Sequence, residues 1–189
     1  MKRHFLFLLL ALSLILTACS STPPPREVVK GFLEAVKTAD IETASHYMKS
    51  DNQEVKDELM PQNDELSEEI VKKVFSHVSY EILSQEIKGD TAKVTASITS
   101  LDLVRVVSKT MGELIPLAFA AAFSDQGEQE MDAMVEQYLM NAISDPEAPT
   151  TINEVVINLE KVEGKWLIDP NDDLLNGLTE NAEKAFSSF

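Results

Sequence analysis

Four oxygen-bearing side chains near the carboxyl terminus have the spacing of a calcium-binding loop. Asp169, Asn171, Asp173 and Glu180 occupy the first, third, fifth and twelfth places of such a loop, and Ca²⁺ prefers oxygen ligands. The sixth place calls for a glycine that permits a sharp turn, but Leu174 stands there. The same acids are equally typical of a strand end followed by a capped helix. We therefore expect no metal site at this position.

Motifs for other chemistry are missing from the sequence. The chain has a single cysteine, Cys19, and three histidines. It contains no glycine-rich phosphate loop and no His-Glu zinc motif, which are the local patterns for nucleotide and zinc chemistry. We therefore expect no cofactor, and the motifs alone identify no catalytic residue.

The first eighteen residues have the layout of a secretory signal. Lys2 and Arg3 precede an apolar run from Phe5 to Leu16, which small residues then close. A transmembrane helix needs about 20 apolar residues, so this run is short for a span. We expect residues 1–18 to be a signal peptide that is removed.

The end of this signal resembles a bacterial lipobox, Leu16-Thr17-Ala18-Cys19. The resemblance implies that Cys19 carries acyl chains, becomes the mature N-terminus and holds the protein on the outer side of the cell membrane or on an outer membrane. The alternative is an ordinary signal peptide in which Cys19 is only the last small residue. Several acyl chains anchor a protein stably, whereas one binds only marginally.

The charge of the chain argues against anionic partners. Loss of Lys2 and Arg3 leaves 14 of the 16 basic residues against 32 acids, a net charge of −18. Such a polyanion is repelled by nucleic acid, because binding to phosphates depends on lysine and arginine. Nucleic acid is therefore excluded as an expected partner, and the charge indicates solubility or attraction to basic partners.

Periodicity then predicts the elements of an α+β domain over residues 26–189, joined to Cys19 by a proline-rich tether over 19–25. Helical spacing predicts helices from Val28 to Val36, from Ile41 to Met48 behind the cap Asp40, and from Leu66 to Val78. Alternation and glycine turns predict two hairpins, 80–98 and 152–169. A last helix follows, capped by Asn171 or Asp172, and Trp166 is expected in the core.

The order of these elements is similar to that of a known superfamily. The strand Val162-Glu163-Gly164-Lys165-Trp166-Leu167-Ile168-Asp169 and the first helix, which begins Arg26-Glu27-Val28-Val29-Lys30-Gly31-Phe32-Leu33, resemble the cystatin-like fold of the nuclear transport factor two superfamily. More narrowly, they resemble its small bacterial lipoproteins. The resemblance implies N-terminal helices packed on a curved antiparallel sheet that forms a cone.

The resemblance also supplies candidate catalytic residues. Isomerases and dehydratases of this superfamily place Asp, His and Tyr inside the cone, which corresponds to Asp40, His46, Tyr47 and Tyr80 here. No local motif supports them as a catalytic set. The sequence therefore favours a non-catalytic module that binds an envelope protein or a small apolar ligand, and a cone-type enzyme (isomerase, dehydratase or hydrolase) is the alternative.

Residues 101–149 depart from a minimal cone and predict a helical insertion between the hairpins. Residues 114–123 leave no polar face and must be buried, while Gly112 and Pro116 bracket a possible hinge. The insertion either packs on the open face of the sheet as plain core or forms a lid or partner surface. The residues predicted for that surface are Leu114, Leu117, Phe119, Phe123, Met134 and Tyr138.

Overall fold

The computed structural model describes residues 22–49, 65–121 and 128–179. Within these ranges there are six helices and four strands, which confirms the α+β class. The elements are α1 Pro25–Lys37, α2 Ile41–Ser45, α3 Glu65–Ser76, β1 Ser79–Lys88, β2 Thr91–Leu101, α4 Leu103–Ala121, α5 Glu128–Ser144, β3 Thr150–Val162, β4 Lys165–Asp169 and α6 Asp172–Thr179. Cys19 with its lipobox, Phe123 and Glu180 lie outside the described residues.

The strands form one antiparallel sheet in the order β1-β2-β3-β4, so both predicted hairpins are confirmed. The second hairpin turns at Glu163 and Gly164, whose φ angles of 50° and 84° are the left-handed pair of a two-residue turn. Ala96 pairs with Val155, and Ala92 pairs with Leu159. This register places the apolar residues of β2 and β3 on one face, which we call the inner face.

A short segment after α2 protects the free edge of β4. Met48 pairs in parallel with Ile168. The Ile168 amide donates to the Tyr47 carbonyl at 2.7 Å, and the Lys49 amide donates to the Ile168 carbonyl at 2.8 Å. Unpaired edges invite pairing with other chains, so residues 47–49 remove one such site.

The main core lies between the inner face and the helices α1, α2, α3 and α6. Trp166 of β4 is 8% exposed within it, as predicted. Asp40 accepts a bond from the Thr43 amide, and Asn171 accepts one from the Leu174 amide, so both helix caps expected from the sequence are present. Fully buried side chains of this core include Val29, Phe32, Leu33, Val36, Val94, Ile98, Ile157, Ile168 and Leu174. Helices packed on one face of a sheet thus account for the apolar periodicity.

Two helices, α4 and α5, lie between the hairpins as predicted, but they do not pack over the open face of the sheet, which was one of the places predicted for them. A second cluster joins α4 and α5 to the end of β2 and to α3, while Ile152 and Val156 on the outer face of the sheet are exposed. Its buried members are Leu101, Leu103, Val106, Ile143 and Ala148. The insertion packs at the end of the sheet, where Ile70 and Val74 of α3 contact its buried side chains.

One hydrogen bond holds the insertion against the end of α3, and another joins its two ends. Nε2 of His77 donates to the Ile143 carbonyl at 2.7 Å, at the end of α5. The Asp102 amide donates to the Pro149 carbonyl at 2.8 Å, so the insertion begins and ends at one place. Helix α4 continues through Pro116 to Ala121. Gly112 and Pro116, which bracket the possible hinge, therefore lie within one uninterrupted helix.

Candidate functional site

Helix α4 has three faces, and the first of them fixes its position. Leu103, Val106, Val107, Thr110 and Leu114 follow helical spacing, and all five are buried. Leu103 and Val106 belong to the second cluster with Ile143 of α5. Burial of this face fixes the orientation of α4 and so determines which residues its other faces expose.

The second face of α4 is apolar and faces solvent. Val104, Ile115 and Phe119 are 44%, 66% and 70% exposed, and the half-buried Met111 lies between them. Positions 104, 111, 115 and 119 fall along one side of a helix, about 100° from the buried face. We call these four residues the α4 stripe. Exposed apolar surface that is concentrated on one element is typical of an interaction site.

The third face of α4 carries charge, as does the insertion as a whole. Arg105, Lys109 and Glu113 lie on the side away from the stripe. Residues 101–149 contain nine acidic residues and two basic ones. The α4 stripe therefore lies within a strongly acidic part of the molecule.

The structure only partly assembles the surface predicted from the sequence. Phe119 is exposed, whereas Leu117, Met134 and Tyr138 are half-buried. Leu114 is 4% exposed and belongs to the core, so its assignment to a partner surface is wrong. Residues 114–123 were expected to be buried against the sheet, against the next helix or against a second molecule, and the exposure of Ile115 and Phe119 shows that neither the sheet nor the next helix covers these two side chains. A helix buries the side that meets a neighbour, and an apolar segment need not bury every side.

Three stripe residues, Val104, Met111 and Ile115, were missed by sequence reasoning. Spacing alone offered a signal, because Val104, Met111, Ile115 and Phe119 recur at intervals of seven and four residues. The same segment also contains the spacing of the buried face. Which of the two apolar sides meets α5 is decided by tertiary packing, and the local sequence does not distinguish them.

The four candidate catalytic residues have separate surroundings. Asp40 accepts the Thr43 amide at 3.0 Å as a helix cap, and the hydrogen bonds from Thr43 lower the pKa of its carboxyl group. His46 follows α2 and is exposed. Asp40 and His46 thus lie at the two ends of the five-residue helix α2.

The two tyrosines of that set contact α1. The Tyr47 ring lies over Gly31 so closely that a methyl group at position 31 would stand 2.5 Å from Tyr47 Oη. Tyr80 Oη donates to Glu34 Oε1 at 2.8 Å. Burial, followed by this bond to Glu34, raises the pKa of Tyr80, so its phenol stays protonated at neutral pH. Both tyrosines thus pack the helix onto its neighbours, and neither lines the clefts described next.

A cleft of about 340 Å³ crosses the outer face of the sheet near the hairpin turns. Register places Glu86, Lys93, Asn158 and Asp169 in one row across its four strands. Lys88 pairs with Glu86 at 2.7 Å, and Lys49 pairs with Glu160. The opposite charges within each of these exposed ion pairs cancel, so the cleft has little net charge with which to recognise an ion.

A second cleft of about 340 Å³ lies where α6 crosses β3, and its polar lining includes Glu154, Asp173 and Asn176. Across the described residues, no group of three or more His, Cys, Asp or Glu side chains is arranged to hold a metal ion. Asn171 caps α6, as the helix-start interpretation of the calcium-like spacing predicts. In the same part of the chain, every helix is too short or too polar to cross a membrane.

Comparison with known proteins finds a distant structural likeness. No protein-family model and no curated protein matches the sequence. The chain is similar to the crystal structure of a candidate lipoprotein (ycdA) from Bacillus subtilis, with 16% sequence identity and a TM-score of 0.47. The match covers 84% of this chain and 47% of that chain, so this chain spans about half the length of that protein. A likeness at this distance transfers no residue role between the two proteins.

Proposed function

We propose that this protein is a membrane-anchored, extracytoplasmic lipoprotein that binds an envelope protein through the α4 stripe. The single observation that carries the binding role is the exposure of Val104 and Ile115 on a helix whose buried face packs in the second cluster. Burial of such side chains on a partner stabilises a complex by about 25 cal/mol per Å² of apolar surface removed from water. No catalytic step is part of this proposal.

The net charge of the insertion that carries the stripe indicates the chemistry of the partner. Nine acids against two bases in residues 101–149 favour a partner whose apolar patch is bordered by lysine and arginine. A small apolar ligand is less well supported, because such ligands need a concave apolar pocket. The two clefts described above are open, and charged and amide side chains stand in their lining beside Leu159 in the first and Val155 and Val156 in the second.

The proposed anchor is Cys19, supported by the lipobox Leu16-Thr17-Ala18-Cys19 and the signal that precedes it. Residues 1–18 would be removed, 19–25 would form the tether, and 26–189 would form one domain on the cell membrane or an outer membrane. We further propose that this domain belongs to the cystatin-like superfamily. Support for that comes from α1, which packs on the inner face of an antiparallel sheet.

Metabolic labelling tests the anchor. We expect the wild-type protein to incorporate a labelled fatty acid and to partition with membranes, and we expect Cys19→Ala to lose both properties. The Cys19→Ala protein must still be secreted and folded, as judged by protease resistance. Incorporation of the label by Cys19→Ala would refute lipidation at this residue.

Site-specific photo-crosslinking in intact cells tests the partner. A photoreactive phenylalanine analogue at position 115 should give one discrete adduct, and the same analogue at position 81, exposed on β1, should not. The 115 adduct should disappear when Phe119→Ser is added. The partner role of the stripe is wrong if the two positions give the same adducts, or if Phe119→Ser leaves the 115 adduct unchanged.

A further inference from the structure

The turns of the two hairpins lie side by side at one end of the sheet. The Lys161 amide donates to the Asp90 carbonyl at 2.8 Å, which links the two turns. We call residues 88–91 and 161–165 the hairpin end. The helical insertion leaves the sheet at the other end, after Leu101 and before Thr150.

The N-terminal segment enters the domain beside the hairpin end. Thr22 Oγ1 donates to the Gly164 carbonyl at 2.8 Å. The entry of the chain is held further along by Arg26, whose amide donates to Gln85 Oε1 at 3.2 Å and whose guanidinium donates to the Ile82 carbonyl at 3.1 Å. Contacts with both hairpins therefore fix the point at which the chain joins the sheet.

Covalent geometry limits how far Cys19 can lie from this point. Three peptide units separate Cys19 from Thr22, and consecutive Cα atoms are about 3.8 Å apart. The Cα atom of Cys19 is thus at most about 11 Å from that of Thr22, whatever the conformation between them. Strand β3, in contrast, has 13 residues and spans roughly 40 Å at about 3.3 Å per residue.

The two ends of the sheet also differ in charge, and the less acidic end is the one near Cys19. The hairpin end carries three lysines, Lys88, Lys161 and Lys165, against the two acids Asp90 and Glu163, and Lys88 is paired with Glu86 just outside it, so this end is close to neutral. Residues 101–149 at the opposite end carry nine acids and two bases. An anionic membrane surface attracts lysine and repels carboxylates within about one Debye length, which is about 10 Å at 0.1 M salt.

We propose that the hairpin end faces the lipid headgroups. The strands then run away from the membrane surface, and the insertion is directed away from the membrane. This inference rests on the proposed lipidation of Cys19. The short tether keeps the hairpin end at the surface, and the charge polarity keeps the acidic insertion from lying down on anionic lipid. The α4 stripe is thereby presented well away from the bilayer.

Depth-dependent quenching tests this orientation in the intact lipoprotein. Cys19 is the chain's one cysteine and its thiol is consumed by lipid, so an introduced cysteine is the sole free thiol. Val162→Cys and Thr150→Cys make a matched pair, because both positions are exposed and lie on the outer face at opposite ends of β3. Each variant is labelled with a fluorophore and reconstituted into phosphatidylcholine and phosphatidylglycerol vesicles that carry a headgroup quencher.

We expect quenching at position 162 to be several-fold stronger than at position 150. Equal quenching, or stronger quenching at 150, would overturn the orientation. Flotation with vesicles is measured on the same samples and compared with Cys19→Ala. Protein that floats but lacks the gradient refutes only the orientation, whereas protein that fails to float refutes the anchor and the orientation together.

Two variants separate the tether from the charge. A long glycine and serine segment inserted between Ser21 and Thr22 should abolish the gradient while the protein still floats. Lys88→Gln with Lys165→Gln should reduce the gradient in vesicles that contain phosphatidylglycerol and leave it unchanged in pure phosphatidylcholine. A gradient that survives the inserted segment would contradict the role of the short tether, and one that is insensitive to both lysines would contradict the role of charge.

Discussion

Gly177 of α6 lies so close to Val155 of β3 that a methyl group at position 177 would stand 2.5 Å from Val155 Cγ2. Val155 is 3% exposed, and its β-branched side chain is stiff about χ1. The pair sets the distance at which α6 packs on the inner face. A larger residue at 177 must therefore displace either the helix or the strand.

This relationship predicts the effect of Gly177→Ala. Alanine in a helix is favoured over glycine by about 1 kcal/mol, but overpacking a core costs about 1 to 3 kcal/mol. We expect a net loss of stability in urea unfolding and partial rescue when Val155→Ala is added. Gly112→Ala is the control, since nothing lies within 4 Å of a methyl group there, and it should stabilise the protein. If Gly177→Ala stabilises the protein as Gly112→Ala does, the close packing is wrong.

Trp166 provides a second test of the main core. It is 8% exposed, and the Lys161 ammonium lies 5.7 Å from the centre of its ring. We expect Trp166→Ala to cost about 3 to 5 kcal/mol of unfolding free energy. Lys161→Gln should cost at most about 1 kcal/mol, because Lys161 is exposed and a cation–π contact made by a solvated ammonium contributes little. As this is the chain's one tryptophan, its emission should be blue-shifted, and emission typical of water would contradict its burial.

Tyr80 makes stability depend on alkaline pH. Its pKa is raised in the folded state by burial and by Glu34, whereas in the unfolded chain it stays near the ordinary value of about 10. The unfolded state therefore loses the proton first, so the contribution of Tyr80 to stability is constant below a pH of about 10 and is lost as the pH rises further. We expect Tyr80→Phe to flatten this alkaline loss in urea titrations. An equally steep loss in Tyr80→Phe would show that other groups cause it.

Thr110 on the buried face of α4 is 3% exposed, and its hydroxyl has no hydrogen-bond partner among the described residues. A buried hydroxyl without a partner costs about 1 to 3 kcal/mol. We expect Thr110→Val to raise stability by about 1 kcal/mol, since it keeps the shape and removes the polar group. Thr110→Ser, which keeps the hydroxyl and loses a methyl group, should be less stable than wild type. Destabilisation by Thr110→Val would reveal a partner for the hydroxyl.

The sheet was largely predictable because its signals are local. Alternating residues from Ala92 to Ile98 and the turn at Glu163-Gly164 specify strands and a hairpin within a few neighbouring residues. The caps Asp40 and Asn171 were predictable for the same reason, since each bonds an amide three residues ahead. These interactions need no knowledge of distant parts of the chain.

The candidate site was less predictable because it depends on which neighbour each helix meets. Leu114 and Ile115 are adjacent apolar residues, yet one is 4% and the other 66% exposed. The difference arises because α4 packs with α5 and α3 at the end of the sheet. Neither the composition nor the period of the segment determines that side, so the surface predicted from sequence combined core residues with exposed ones.

The insertion leaves and rejoins the sheet at a single step of the ladder. Leu101 pairs with Thr150, and immediately beyond them the Asp102 amide bonds the Pro149 carbonyl. The register of β2 with β3 is set by the strands themselves, so it does not depend on the length or sequence of what lies between them. Residues 102–149 are consequently joined to the sheet at one residue pair, so a replacement segment would have to meet Leu101 and Thr150 and to cover the apolar side chains of Leu101, Ile70 and Val74 that the insertion now buries.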